Sequence, residues 1–163
     1  MVSPASICQA VRIVTGPRSV CDGEAHRRGE NARLVDLPGY GYARVPQAMR
    51  NAWRELVSAY LRSARGLVGI VVVMDARHPM TPLDAQLIDW LGDAPQLWLL
   101  SKADKISRKE QAAALAAMQG DSRRQHATLF SSVTRQGVEE ARDLLEQWLQ
   151  AGRENKKPPV KGK

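Results

Sequence analysis

Cysteine is scarce in this chain, and its few histidines are not clustered. The only two cysteines among the 163 residues are Cys8 and Cys21, and they form no C-x-x-C pair. This pattern argues against a metal site built on thiolates, and a disulfide framework makes no sense for a chain of this length. We therefore expect a protein that keeps its thiols reduced.

Long apolar runs are also missing. No segment approaches the roughly 20 apolar residues that a membrane-spanning helix needs, and the N-terminus has no apolar stretch followed by a cleavage site. These absences predict a cytoplasmic protein without membrane contact. The chain is 44% apolar and 25% charged, which is the composition of an ordinary globular protein, and its length predicts one domain with a single core.

Acidic residues are in deficit, most of all at the C-terminal end. The net charge is +7, and residues 151–163 contribute +4 of it, because five lysines and arginines stand there against Glu154 alone. A basic tail suits an anionic partner such as RNA, through phosphate contacts and counterion release. A solubilising, disordered tail is the alternative, because residues 156–163 have no core-forming pattern.

Apolar runs alternate with amphipathic segments from residue 33 onward. The runs predicted to form strands are Leu34–Val35, Leu67–Met74, Leu97–Leu100 and Thr128–Phe130. The second run is nearly continuous and rich in β-branched residues, which is typical of a strand covered on both faces in a parallel sheet.

Each of these strands is followed by a segment with helical spacing. The predicted helix starts are Pro46, Thr81 with Pro82 at the first helical position, Ser107 in a capping box with Glu110, and Val138. The last helix is predicted to stop near Gly152. The alternation of strands and helices predicts an α/β fold, a three-layer sandwich around a mostly parallel sheet.

The tetrapeptide Asp36-Leu37-Pro38-Gly39 follows the first of these strands. A carboxylate at such a strand end can hold the hydration shell of Mg²⁺, and a glycine three residues later lets a backbone N–H approach a terminal phosphate closely. The pattern D-x-x-G is a weak signal by itself, and it gains weight from two segments downstream.

Lys102 and Asp104 follow the strand Leu97–Leu100 at its carboxyl end, where open α/β sheets bind ligands. An aspartate there can accept two hydrogen bonds from a guanine edge, from N1–H and from the 2-amino group, whereas adenine offers no such pair of donors. The stem of Lys102 can lie over the plane of the base. Ser131-Ser132 follow the next strand, where backbone N–H groups could meet the guanine O6.

The segment from Arg33 to about Trp148 resembles the EngB family of bacterial GTPases. The matching stretches are Asp-Leu-Pro-Gly-Tyr-Gly-Tyr-Ala (36–43), Met-Asp-Ala-Arg-His-Pro (74–79), Asp-Trp-Leu (89–91), Ser-Lys-Ala-Asp-Lys (101–105), Phe-Ser-Ser (130–132) and Arg-Gln-Gly-Val (135–138). The resemblance divides the chain into an unmatched segment, residues 1–32, a partial GTPase domain, residues 33–150, and a basic disordered tail, residues 151–163.

The resemblance implies roles for three loops and assigns no catalytic residue. The first is the magnesium and γ-phosphate loop, in which Asp36 holds the metal through water; it consists of Asp36, Leu37, Pro38 and Gly39. The second is the guanine-specificity loop, Ser101, Lys102, Ala103 and Asp104. The third is the loop beside the base, Phe130, Ser131 and Ser132. The resemblance implies GTP or GDP with Mg²⁺ as ligands, and the large ribosomal subunit or its RNA as partner. It further implies a monomeric, cytoplasmic protein that acts in assembly of that subunit and in cell division and septation.

The family's phosphate-binding loop, G-x-x-x-x-G-K-[ST], has no match in this chain. The first lysine is Lys102, so no such lysine precedes Asp36. In the family's sheet, the strand before that loop lies between the equivalents of Leu34–Val35 and Leu67–Met74, so its loss leaves two central strands without a shared neighbour. A weak strand within Ile7–Val14 is a candidate to fill this gap. We expect impaired nucleotide binding, in a truncated or frame-shifted product whose first 32 residues are unrelated to the family.

Three interpretations stay open at this point. The first is a GTP-binding protein, for which the resemblance implies GTP hydrolysis but the missing loop puts that activity in question. The second is a non-enzymatic remnant that binds RNA or the ribosome through its basic tail and the arginine-bearing helix after Pro46. The third is a chain that does not fold stably.

Overall fold

The computed structural model describes residues 10–15, 25–27, 33–36, 51, 55, 58–59, 67–119 and 126–154. The elements with complete bounds are β1 (Ala10–Thr15), β2 (Ala25–Arg27), β3 (Arg33–Asp36), β4 (Leu67–Asp75), α1 (Pro82–Leu91), β5 (Gln96–Ser101), a short 3-10 helix (Ala103–Lys105), α2 (Arg108–Ala116), β6 (Ala127–Leu129) and α3 (Val138–Glu154). Residues 51, 55, 58 and 59 are helical, and the rest of the helix predicted after Pro46 lies outside the described residues.

The strands form one six-stranded sheet in the order β2-β3-β1-β4-β5-β6. β4, β5 and β6 pair in parallel. β1 is antiparallel to both β3 and β4, so β3 runs in the same direction as β4. β2 is antiparallel to β3 at the outer edge. Four of the six strands therefore share one direction, and the predicted α/β fold with a mostly parallel sheet is confirmed.

Helices cover both faces of β4 and β5, which is why these strands are apolar on both sides. The buried residues that pack with α1 and α2 on one face are Ile70, Val72, Met74, Ala76, Leu87, Ile88, Leu91, Trp98, Leu100, Ala114 and Met118. Those that pack with α3 on the other face are Val71, Leu97, Leu99 and Ala141. The molecule therefore has the three layers that the sequence predicts.

The position between β3 and β4, for which the sequence offers no phosphate-loop strand, is occupied by β1. Its backbone pairs with β3 from Arg12 to Thr15 and with β4 from Ala10 to Thr15. Because β1 is antiparallel to its neighbours, it begins at the edge where they end and finishes at the opposite edge. β1 therefore supplies the missing backbone hydrogen bonds between β3 and β4. A phosphate loop would stand at the carboxyl edge of β3 and β4, but the chain leaves β1 at the opposite edge.

α3 lies close to β4 because two glycines make room for side chains. A Cβ atom at Gly69 of β4 would collide with the indole ring of Trp148, and one at Gly152 of α3 would press on the side chain of Val68. Gly152 thus serves packing inside the helix. α3 continues to Glu154, two residues beyond its predicted stop.

The starts of α1 and α2 are confirmed, because the hydroxyls of Thr81 and Ser107 each accept a hydrogen bond from the backbone three residues later. Residues 25–27 belong to the unmatched segment, where the only strand predicted lay within Ile7–Val14, and they form the edge strand β2. None of the helices in the described part of the chain is long and apolar enough to cross a membrane.

Candidate functional site

The loop after β5 is tied to the end of β4. Ser101 stands opposite Asp75 in the parallel pairing of the two strands. Its hydroxyl donates to the carbonyl of Met74 at 2.8 Å, and its carbonyl accepts from the N–H of Ala76 at 2.8 Å. These two bonds on either side of Asp75 make the ends of β4 and β5 a single unit, so the residues that follow start from a defined position.

Lys102 turns the chain out of β5 into the short 3-10 helix. Its backbone is in the left-handed region, with φ 61° and ψ 31°. Residues other than glycine and asparagine seldom adopt this conformation. Ala103 follows and is buried, and its N–H donates to the carbonyl of Phe130 at 3.1 Å. The left-handed turn thus places Asp104 beside the loop after β6.

Asp104 and Ser131 meet across these two loops. The Ser131 hydroxyl donates to Oδ1 of Asp104 at 2.6 Å, and the Lys105 ammonium lies 3.3 Å from Oδ2. The hydrogen bond from Ser131 lowers the pKa of Asp104, partial burial works against that effect, and Lys105 adds to the lowering. Asp104 is therefore an ionised hydrogen-bond acceptor at neutral pH, and the bond from Ser131 to Oδ1 fixes its orientation.

The loop after β6 is organised around the Ser131 hydroxyl. This oxygen also accepts from the N–H groups of Val133 and Thr134, each at 3.2 Å, while the Ser131 N–H donates to the carbonyl of Gln136 at 3.0 Å. The amide of Ser131 is thus used within the loop, and Phe130 packs among the residues that face α3. Ser132, the second serine of the predicted pair, is exposed, and its N–H makes no hydrogen bond to any residue that the structure describes.

The structure does not bring Asp36 to this cluster. Asp36 is exposed at the end of β3, and it pairs with Arg12 of β1, which in turn pairs with Val71 of β4. Asp36 is therefore level with a residue four positions before Asp75, or about 13 Å back along the strand direction. Leu37, Pro38 and Gly39 lie outside the described residues.

The donor chemistry at Asp36 suits Mg²⁺ only in part. This metal prefers oxygen ligands and is often bound by one or two carboxylates together with water and substrate phosphates. Asp36 supplies one such carboxylate. Among the described residues, no group of three or more histidine, cysteine or acidic side chains could hold a metal ion. A magnesium site here would depend on oxygens from the nucleotide.

Asp75 is a charged residue of this edge that the sequence did not single out. Its carboxylate is buried at the end of β4 and is paired with Arg77 and Lys102. Burial by itself raises the pKa of Asp75, but the hydrogen bonds from Arg77 and Lys102 outweigh that effect and lower it to about 2. The signal available in the sequence was an aspartate at the end of an apolar strand with an arginine two residues later.

Several curated relatives carry the name "Probable GTP-binding protein EngB". The protein of Dechloromonas aromatica is 46% identical over 144 residues, which cover 82% of this chain and 66% of that protein. The protein of Aromatoleum aromaticum is 48% identical over 128 residues, covering 72% and 57%. The protein of Nitrosomonas europaea is 42% identical over 151 residues, covering 82% and 68%. A scan against protein-family models finds no match.

The chain spans between 57% and 68% of the length of these relatives. The similarity covers most of this chain, from 72% to 82%, and so extends far beyond the short motifs around the candidate site. Together with the fold, this extent of identity shows common descent. The chain belongs to the EngB family of GTP-binding proteins.

Proposed function

We propose that this chain binds guanine nucleotides at the carboxyl ends of β5 and β6, with Asp104 as the residue that selects the base. The proposal is carried by the hydrogen bond between Ser131 and Asp104, 2.6 Å long. That bond engages Oδ1 and orients an ionised carboxylate, whose remaining lone pairs can accept from N1–H and the 2-amino group of guanine. An adenine in the same place would leave those remaining lone pairs without donors, which costs about 1–3 kcal/mol or more for a charged group.

Two neighbours complete the proposed base site. The methylene stem of Lys102 packs against one face of the purine, as long basic side chains do with apolar surfaces. The N–H of Ser132 donates to the guanine O6, a role that is supported by the engagement of the Ser131 N–H with Gln136. Three types of contact then define guanine: an acceptor for its two donors, a donor for its carbonyl and a surface for its ring.

The phosphates extend from the base site toward β3 in this proposal. Asp36 would hold Mg²⁺ through water, and Gly39, which lies outside the described residues, is the residue proposed for the γ-phosphate. The metal, when bound, would neutralise phosphate charge. Among the described residues, the contribution to this part of the site is one carboxylate, on a strand that runs parallel to β4 and ends further back. Binding of the phosphates is therefore expected to be weaker than binding of the base.

The wider role is proposed from the family to which the chain belongs. We infer a monomeric, cytoplasmic protein that acts with GTP and GDP in assembly of the large ribosomal subunit, and through it in normal cell division and septation. The proposal covers nucleotide binding and assigns no catalytic group among the described residues.

Calorimetric titration of the purified chain with GDP, ADP and xanthosine diphosphate tests the proposal. The wild-type chain is expected to prefer GDP. Asp104→Asn is expected to lose about 10- to 100-fold in GDP affinity and to gain affinity for xanthosine diphosphate. The reason is that xanthine carries a carbonyl in place of the 2-amino group, and an asparagine amide can donate to it.

Asp143→Asn is the matched control, because Asp143 is an exposed aspartate on α3 away from the site, and it should bind GDP like the wild type. Equal affinity of the wild-type chain for GDP and ADP would contradict the proposal. Salt-dependent binding of RNA without any response to nucleotide would instead favour the RNA-binding alternative.

A further inference from the structure

Asp75 is the centre of a charge cluster at the end of β4. Its Oδ1 accepts from the N–H of Arg77 at 3.0 Å and from Arg77 Nε at 2.8 Å. Its Oδ2 accepts from Arg77 Nη2 at 2.6 Å and from Lys102 Nζ at 3.0 Å. The carboxylate is only 3% exposed, whereas the side chains of Arg77 and Lys102 are 36% and 28% exposed. One buried anion thus holds two cations that reach the surface.

A buried carboxylate with two cations is a costly arrangement if its effect is stability alone. Removing a charge from water costs several kcal/mol, and apolar residues often fill such positions at no loss of stability. Arg77 binds both carboxylate oxygens in the fork geometry that arginine favours. The carboxylate is thereby fixed and still presents Oδ2 to Lys102. Such a fixed anion at the ligand-binding edge of a sheet points to a role in placing Lys102.

Lys102 is constrained at both of its ends. Its backbone is held in the left-handed region by the turn between β5 and the 3-10 helix, and its ammonium is held by Asp75. The methylenes between these two points can therefore follow few paths. A lysine side chain that is free in solution loses up to about 2 kcal/mol of rotamer entropy when it becomes ordered. Here much of that ordering is already done before any ligand binds.

We propose that Asp75, supported by Arg77, is a positioning residue for Lys102, and that it holds the ammonium so that the methylene stem forms one wall of the guanine site. The inference rests on the proposed function, because it needs guanine to bind beside Lys102.

The ion pair has a second effect in this arrangement. Lys102 lies two residues before Asp104, so a released ammonium would compete with guanine for the Asp104 oxygens. The pair with Asp75 keeps that cation away from the acceptor that reads the base. Loss of Asp75 is therefore expected to weaken guanine binding both by freeing the stem and by adding a competitor.

A double-mutant cycle with GDP tests this role. Asp75→Asn is expected to weaken GDP binding about fivefold to tenfold, in line with the loss of a charge-assisted hydrogen bond. Lys102→Met keeps an unbranched stem and removes the ammonium. In that background, the further change Asp75→Asn should alter GDP affinity by less than about twofold. Equal losses from Asp75→Asn in both backgrounds would mean that Asp75 acts on the fold and not through Lys102, and would overturn the proposal.

Asp84→Asn is the matched control for general destabilisation. Asp84 is also a fully buried aspartate, and its carboxylate accepts from the N–H of Thr81 at the start of α1. This variant should lower the melting temperature without changing GDP affinity. Arg77→Gln serves as a milder second variant if Asp75→Asn does not fold. It leaves the pair between Asp75 and Lys102 and should weaken GDP binding by about twofold, and an unchanged affinity would count against the support from Arg77.

A measurement without nucleotide separates this inference from the proposed function. In ¹H–¹⁵N spectra, a lysine ammonium held in an ion pair exchanges slowly enough to give a signal, which Lys102→Met identifies by its loss. The Lys102 signal should also vanish in Asp75→Asn. Persistence of that signal overturns the positioning role even if GDP binds. A held ammonium in a chain that does not prefer GDP over ADP refutes the proposed function and, with it, any role of Asp75 in guanine binding.

Discussion

The two halves of the sheet differ in how completely they are built. β4, β5 and β6 run parallel, and helices cover both faces of β4 and β5. The loops after β5 and β6 are joined by a side-chain hydrogen bond. β2, β3 and β1 pair in alternating directions, and the carboxyl end of β3 is four residues short of the end of β4. One half of the sheet alone therefore assembles the loops that we propose to select the base.

The direction of β1 accounts for much of this difference. A strand can satisfy the backbone groups of its neighbours in either direction, because both ladders pair N–H with C=O. The chain after the strand, however, leaves from opposite edges in the two cases. A nucleotide site needs its phosphate loop at the carboxyl edge, so the same gap can be filled for folding and left unfilled for binding.

Truncation of the core should break the β4–β5–β6 half most severely. Trp98→Ala removes a side chain that has no exposed surface and that donates to Gln96 Oε1 at 3.2 Å. The expected loss in the free energy of unfolding is about 3–5 kcal/mol. Val35→Ala in β3 removes less volume and should cost about 1–3 kcal/mol. Urea unfolding of both variants measures the difference, and a larger loss for Val35→Ala would reverse the comparison.

Acid should act on the same half through Asp75. Its pKa in the folded chain is about 2, below the ordinary value of 3.8, so its contribution to stability is complete above about pH 5 and is lost as the pH falls toward 2. The difference corresponds to roughly 2 kcal/mol. The wild-type chain should exceed Asp75→Asn in stability by a margin that is constant from pH 7 to about 5 and shrinks between about pH 4 and 2. A margin independent of pH in melts across this range would contradict the assignment.

The junction between the two loops offers a smaller effect on binding. Ser131→Ala removes the donor to Asp104 and the acceptor for two backbone N–H groups. GDP affinity should fall by about fivefold to tenfold, a loss of roughly 1 kcal/mol, because the carboxylate is no longer oriented. Ser131→Thr keeps the hydroxyl and should restore part of the affinity. An alanine variant that binds GDP like the wild type would show that the orientation of Asp104 does not depend on Ser131.

The smallest expected effect on the free energy of unfolding comes from an exposed ion pair on α3. Glu139 and Arg142 lie one turn apart, with 2.9 Å between Oε2 and Nη1, and both side chains are well exposed. Glu139→Gln should change the free energy of unfolding by no more than about 0.5 kcal/mol. Thermal melts at low and high salt provide the test, and a loss above 1 kcal/mol would mean that the pair does more than its exposure allows.

Much of the β4–β5–β6 half was predictable because its signals are local. The run Leu67–Met74 is apolar at every position but one, and it forms β4 together with Asp75. The capping boxes at Thr81 and Ser107 use side chains and backbone groups three residues apart, so their geometry does not depend on the rest of the chain. β2 was missed because a strand of three residues has no period to detect and exists only through its pairing with β3.

The candidate site was predictable in its residues but not in its connections. Lys102, Asp104 and the pair Ser131-Ser132 could be chosen because ligands bind where parallel strands end, and the family resemblance added Ser101, Ala103 and Phe130. That Ser131 binds Asp104 by its hydroxyl, and that Ser132 supplies the available amide, follows only from the loop conformation. Asp75 and Arg77 stood in a recognised stretch, but a carboxylate in a sequence carries no mark of the lysine it will meet 27 residues later.

The longer strands and the helices, the faces of them that are buried, and the residue types at the end of each parallel strand follow from the sequence alone. These properties depend on side-chain polarity and on contacts within about one helical turn. Only the tertiary structure decided the direction of β1, the level of Asp36 relative to β4, and the cluster of Asp75, Arg77 and Lys102. Those depend on pairing between segments far apart in the chain, where several registers satisfy the same local pattern and the packing of the whole sheet selects one.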